Sequence, residues 1–545
     1  MSKVNKRKLF FDKYFIISLA LSAASLIYLW DIRFMPIIFI PIAVGLVRIA
    51  LPYLRSKVGE SNVDLNLLYL LLHMHAISTG KPVRARLFQL NSVLGGYGAY
   101  ENTLRRIAAL GVEWGYSFVR SIRLVSKEVK NRVFREFLLR FSEVLRTGED
   151  PVRFLEVEFA AARRNYQAQY YRAMDLMRII LGLHTTLMSS AAFILTVMTV
   201  FMVFMGDNLT TYLLTLIGSL TVVGTFTVIT YMVVPKEWIS PNLKPKPRHV
   251  YSKYRLSLIA ALSASSVIAL LIYVYIGNLE LAIMSIGGLM LVPGITATRI
   301  ESNIKKVESF YPIFIRSFGL TYSVLPNYVR SLASILMSDY GPLTKHIKLV
   351  YAKLSNGIDP KIVWRHFSQG IWSDLILRST NIIVDTVEVG GDLRSVGVTL
   401  SDLFIRLNDL RGTRERIART FEATAYILQM LVTAVSISIV NILDMFSKFM
   451  EGLAVGLEMT EFYGLLPFYI TPESINFVYQ TTLLFLIVLV VANALTIKLA
   501  YGGLMETFWI QISILSIMTA SSSYAMKMLI NYIFGNLLFP ELIPG

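Results

Sequence analysis

Arg146-Thr147-Gly148-Glu149-Asp150-Pro151 and Glu388-Val389-Gly390-Gly391-Asp392-Leu393 are one turn written twice, about 242 residues apart. In each, a glycine suited to the left-handed end of one helix stands two residues before an aspartate suited to start the next. Working outward at the same offset, Gly115 pairs with Gly357, Ser117 with Asp359, Arg164 with Arg406 and Arg172 with Arg414. Asp359-Pro360 is a capping residue followed by proline at the first helical position, and Ser117 can cap at the matching place. After each turn the chain runs through a basic stretch into an apolar one long enough to cross a bilayer. The expected fold is therefore all-α and polytopic, built on a duplicated unit of basic helical bundle followed by membrane helices.

Composition points the same way. Of 545 residues, 54% are hydrophobic and only 16% charged, with a mean hydropathy of +0.56. Soluble domains carry about 25% charged residues, so the deficit is that of a membrane protein. The formal net charge is +17, concentrated between the apolar runs. There is no cysteine, which excludes disulfides, thiolate metal sites and thiol nucleophiles. Lys3, Lys6, Arg7 and Lys8 precede the first apolar run as in a secretory signal. Trp30-Asp31-Ile32-Arg33 offers no small-residue cleavage site, however, and a second apolar run follows at once, so the first is read as a retained span.

Apolar runs of spanning length lie near 14–31, 34–53, 179–205, 210–234, 257–277, 280–298, 423–446, 476–498 and 504–533, which predicts nine spans. The chain then divides into two spans (1–53), a first helical domain (54–178) and four spans with a basic loop near 235–256 (179–298). A second helical domain (299–420) and the C-terminal spans, with an acidic loop near 447–475, complete it (421–545). Lys and Arg crowd the N-terminus, both domains and the loop 235–256, whereas the opposite connections are short or acidic. The positive-inside rule then places the N-terminus and both domains in the cytoplasm and the C-terminus outside. Roughly six helices per domain fit the apolar spacing, as in Val133, Phe134, Phe137, Leu138 and Phe141. From Pro151 to about Phe204, and from Leu393 to about Ile442, no proline interrupts the pattern. If continuous, each is a rod about 80 Å long running from bundle to membrane.

No catalytic motif sits in this framework. The glycine-acid turns resemble anion-cradling loops, but no Walker sequence occurs, and a helix-hairpin turn explains them better. His73 and His75 stand two apart, on different faces of a helix, which argues against a metal pair. Asp31, Asp207 and Asp444 fall at span ends, which disfavours an intramembrane aspartate protease. No metal or cofactor is expected. Arg164 with Arg172, and Arg406 with Arg414, lie eight apart, two turns along nearly one face. Arginines nearest the bilayer suit anionic lipid headgroups. Those farther away suit an acidic protein partner, rather than nucleic acid, because aromatics are not interleaved with them.

The duplicated bundle, the Glu388-Val389-Gly390-Gly391-Asp392-Leu393 turn and the charged helix carrying Arg411, Arg414, Glu415 and Arg416 resemble the type II secretion F-domain family. The extra spans before and between the copies are similar to its archaeal branch, the platform proteins of the archaellum and of type IV pilus-like machines. That resemblance implies a non-enzymatic membrane platform with a six-helix bundle per copy. It implies a cytoplasmic hexameric ATPase as energy source and prepilin or archaellin-like subunits as clients. Either a monomer or a homodimer beneath such a ring would be symmetry-mismatched to it, and the sequence does not choose between them. A secondary transporter with internal repeats is the alternative, although it would need intramembrane charges at broken helices.

Overall fold

Phe134, Phe137, Leu138, Phe141 and Leu145 recur at helical spacing, and all five are buried in helix α4 (Arg132–Thr147). The Asn131 side chain accepts the Phe134 N–H at 3.0 Å to start this helix. Gly148 at φ +78° ends it. The preceding helices are α1 (Leu65–Ser78), α2 (Ala99–Val112) and α3 (Phe118–Ser126), and the following one is α5 (Pro151–Phe204). Phe88, Phe118, Phe137, Phe141 and Phe154 stack on one another to fill the space between them. Each such ring contributes about 2–3 kcal/mol by leaving water. These elements belong to a computed structural model that describes residues 64–90, 96–204, 209–237, 239–241, 248–456 and 472–538.

After α6 (Leu209–Val233) and α7 (Arg248–Ile276) the pattern repeats. Helix α8 (Leu279–Val324) is followed by α9 (Tyr328–Ile335), α10 (Thr344–Ser355), α11 (Pro360–Ile371), α12 (Asp374–Val389) and α13 (Leu393–Gly456). Helices α12 and α13 begin 242 residues after α4 and α5, as the turn offset requires. The chain closes with α14 (Pro472–Tyr501) and α15 (Phe508–Leu538).

The buried side chains of both copies form one apolar core, running from Leu67 through Met174 and from Val307 through Leu410. Helices α1 and α12 lie at its centre. Nearly every residue from Leu67 to Ser78, and most from Asp374 to Thr386, is buried. That explains why α1 (LNLLYLLLHMHAIS) is apolar around its whole circumference.

Six helices among the described residues, α5, α6, α7, α8, α13 and α14, are long and apolar enough to cross a membrane. The chain is a polytopic all-α membrane protein. The count of nine predicted from sequence changes for two reasons. The runs 14–31 and 34–53 lie outside the described residues, as does most of the acidic connection near 447–475. The ninth run forms α15, which packs on α8 and α13, but Ser513, Ser516, Thr519 and Ser521 to Ser523 lower its hydropathy below that of the other six.

Candidate functional site

Helices α5 and α13 are single rods of 54 and 64 residues, about 80 and 95 Å long, and they pack against each other. Arg164 and Arg406 are exposed, and Arg172 is exposed two turns farther along α5. Arg406 approaches Arg163, whose guanidinium is held below its ordinary range by burial and then by that neighbouring cation, with Asp402 as a partial counterweight. Asp402 is itself engaged by Arg316 at 2.8 Å. The crossing therefore carries clustered positive charge with little acidic relief.

Arg414 departs from expectation. The sequence placed it on the exposed basic face, whereas only 4% of it is accessible. Its Nε donates to the Ala500 carbonyl at 2.8 Å, Nη1 to Pro235 at 2.9 Å and Nη2 to Leu499 at 2.8 Å. The guanidinium fork thus satisfies carbonyls at the end of α14 and just beyond α6, acceptors that have no intrahelical donor. Arg414 is a structural clamp where the rods enter the membrane region, and it leaves the exposed face.

One turn away, Arg411 bridges Glu237 at 3.3 Å and Glu308 at 3.1 Å, all three nearly buried. Tyr166 of α5 donates to Glu237 at 2.8 Å, so α5, α8, α13 and the segment after α6 meet at this cluster. Lys305 joins Glu301 at 2.8 Å and Glu415 at 2.5 Å, tying α8 to α13. The Lys305 pairs are partly exposed. The nearly buried Arg411 cluster costs desolvation and is favourable only when every partner is present, so removing one of its members is expensive.

The turn residues lie at the end of the bundle farthest from the membrane helices. Ser117 and Asp359 start α3 and α11, each accepting a backbone N–H, after Gly115 at φ +67° and Gly357 at φ +75°. Asp150 and Asp392 start α5 and α13, accepting the N–H of Val152 at 3.0 Å and of Arg394 at 3.1 Å. Gly390, at φ +73°, ends α12 as Gly148 ends α4. The two turns then differ. A Cβ on Gly148 or on Gly390 would meet nothing, but at the next position, where the first copy has Glu149, a Cβ on Gly391 would lie 2.8 Å from the Thr79 hydroxyl oxygen and 3.1 Å from the Ala76 carbonyl. The Asp392 N–H also donates to the Thr79 hydroxyl at 2.9 Å. The second-copy turn is thus docked on the end of α1.

His73 proves to be part of that same seam. Its Nε2 is 2.9 Å from the Asp385 carboxylate and its Nδ1 is 2.9 Å from the Tyr97 hydroxyl, while Arg86 pairs with the other Asp385 oxygen. His75 points elsewhere and pairs with no metal ligand, and no cluster of three metal-capable side chains occurs among the described residues. Glu237, Glu308 and Asp385 were not singled out from the sequence. The readable signal was an acidic residue isolated within or beside an apolar run, which only a buried cation tolerates.

Two relatives were found. The chain is 24% identical over 528 residues to "Flagella accessory protein J" of Methanocaldococcus jannaschii, covering 93% of this chain and 91% of that protein. It is 20% identical over 419 residues to the protein of the same name from Methanococcus voltae, covering 73% of each. No protein-family model matches the chain, and no solved structure does.

Proposed function

We propose that this protein is the integral-membrane platform of an archaellum or related type IV pilus-like assembly machine, coupling a cytoplasmic hexameric ATPase to insertion of filament subunits. Similarity over 93% of the chain to one protein named for a flagellar accessory role, and over 73% to another, supports the setting. The observation that carries the coupling is mechanical: two rods leave one bundle and continue without interruption into the membrane helices. In this reading the bundle lies in the cytoplasm and its exposed arginines, Arg164, Arg172 and Arg406, receive an acidic surface of the ATPase. Transporter chemistry is not favoured, because much of the duplicated signal lies in the bundle rather than at a midplane site.

The test is pull-down of the ATPase encoded with the filament genes, using the full chain and the variant Arg164→Glu with Arg406→Glu. The variant should insert and accumulate normally, lose ATPase binding and make no filaments. Wild-type binding should weaken as salt rises, since exposed charges are screened within about 8 Å at physiological ionic strength. Unchanged binding and normal filaments would remove the arginine face from the mechanism.

A further inference from the structure

We infer that the groove between α5 and α13, where both rods reach the membrane, binds one anionic phospholipid by its phosphodiester. The groove encloses about 340 Å³ and is lined by Arg178, Leu181 and Gly182 from α5 and by Arg416, Phe421 and Thr424 from α13. Its charge comes from the two arginines. Both are exposed. Arg178 has no acidic or hydrogen-bonding partner among the described residues, and Arg416 uses one nitrogen on the Thr413 hydroxyl at 2.8 Å. Two guanidinium groups facing one groove without a carboxylate are complementary to a phosphate.

Its floor comes from Leu181 and Phe421, which are 2% and 5% exposed. The groove is open beside Gly182, where a Cβ would meet no atom within 4 Å. Thr185 and Thr424 line the groove beyond the arginines, and next to it on the two rods Ile179 and Ile427 face outward at 60% and 67% exposed. A cationic rim above an apolar floor, with apolar side chains exposed beside it, fits an amphiphile with an anionic head and a hydrocarbon tail, rather than a nucleotide or a peptide. Generic attraction to an anionic leaflet would not need a groove.

The experiment uses the full chain, purified in detergent, stripped of lipid and mixed with anionic phosphatidylglycerol or zwitterionic phosphatidylcholine. Retention is counted by native mass spectrometry. One phosphatidylglycerol per chain should be retained in preference to phosphatidylcholine. Arg178→Gln with Arg416→Gln should weaken retention by about tenfold or more, since each basic residue near a membrane surface is worth about a factor of five. Lys253→Gln with Arg255→Gln removes the same charge from exposed positions on α7 and should retain the lipid. Gly182→Leu fills the groove without changing charge, and should accumulate normally yet lose the lipid. Equal loss in the α7 variant, or full retention by Gly182→Leu, overturns the site. Displacement by inorganic phosphate or glycerol phosphate at concentrations comparable to the lipid would make it a free-phosphate site, and likewise overturns the proposal.

Discussion

Two arginines of the same repeat-related pattern have opposite roles, and substitution should separate them. Arg414 donates to three backbone carbonyls from a buried position, whereas Arg164 is exposed on α5. Arg414→Leu strands the Leu499 and Ala500 carbonyls at about 1–3 kcal/mol each and leaves the Pro235 carbonyl only the Glu237 N–H at 3.2 Å, together a large share of a domain's stability. We expect the protein to fail to accumulate, while Arg164→Leu changes yield and melting temperature little. Quantitative blotting of membranes and thermal unfolding in detergent measure both. His75 gives a second test at this scale. Burial holds its imidazole below the ordinary value of 6.5, against the nearby Glu156, so the folded protein favours the neutral form. Its contribution to stability is complete above the unfolded pKa and is lost as pH falls toward the folded one. Melting temperature should therefore drop below about pH 6.5, and His75→Gln should flatten that part of the profile.

At the scale of elements, the turns and rods carry the predictions. Gly390→Val forces a branched residue into a left-handed conformation, a cost of about 1–2 kcal/mol, with open space around the new side chain. Gly391→Val is not at positive φ but drives a side chain into Thr79 and Ala76. It should cost more than Gly390→Val and loosen the seam between copies, read as faster amide exchange in α1. The rods are testable by interruption. Asp409 is exposed on α13 between bundle and membrane, and Asp409→Pro breaks the rod at about 3 kcal/mol. ATPase binding should survive in that variant while filament assembly fails, with Asp409→Ala behaving as wild type.

Much at this scale was legible in the sequence. The turn glycines and caps were readable because backbone chemistry at a helix end is local. The rods were readable because no proline interrupts them. The clamp at Arg414 was not, since its acceptors lie on α14 and beside Pro235, far along the chain. Periodicity assigned it to the face of Arg406, which stays exposed, whereas two turns farther along tertiary packing covers Arg414. The seam at His73 and Asp385 was hidden likewise, because each residue alone is an ordinary polar interruption.

For the whole molecule, orientation is the property most in need of measurement. The chain lacks cysteine, so single introduced thiols report without background. Cysteine at Ser447 should react with an impermeant maleimide on intact cells, and cysteine at Ser117 or Ser355 should react only after lysis. The reverse pattern would put the bundle outside and end the proposed coupling.

The docking of α1 on α12 also dictates an order of events during synthesis. His73 is buried against Asp385, and the end of α1 against Gly391, partners made more than 300 residues later. Until the ribosome has passed about residue 392, α1 is covered by α5 of its own copy but leaves the side that α12 will occupy, with the buried-type His73, open. Chains stalled or truncated between the copies should be sticky, chaperone-bound and rapidly degraded. The first repeat, though complete in sequence, is then a folding intermediate that waits for its own duplicate.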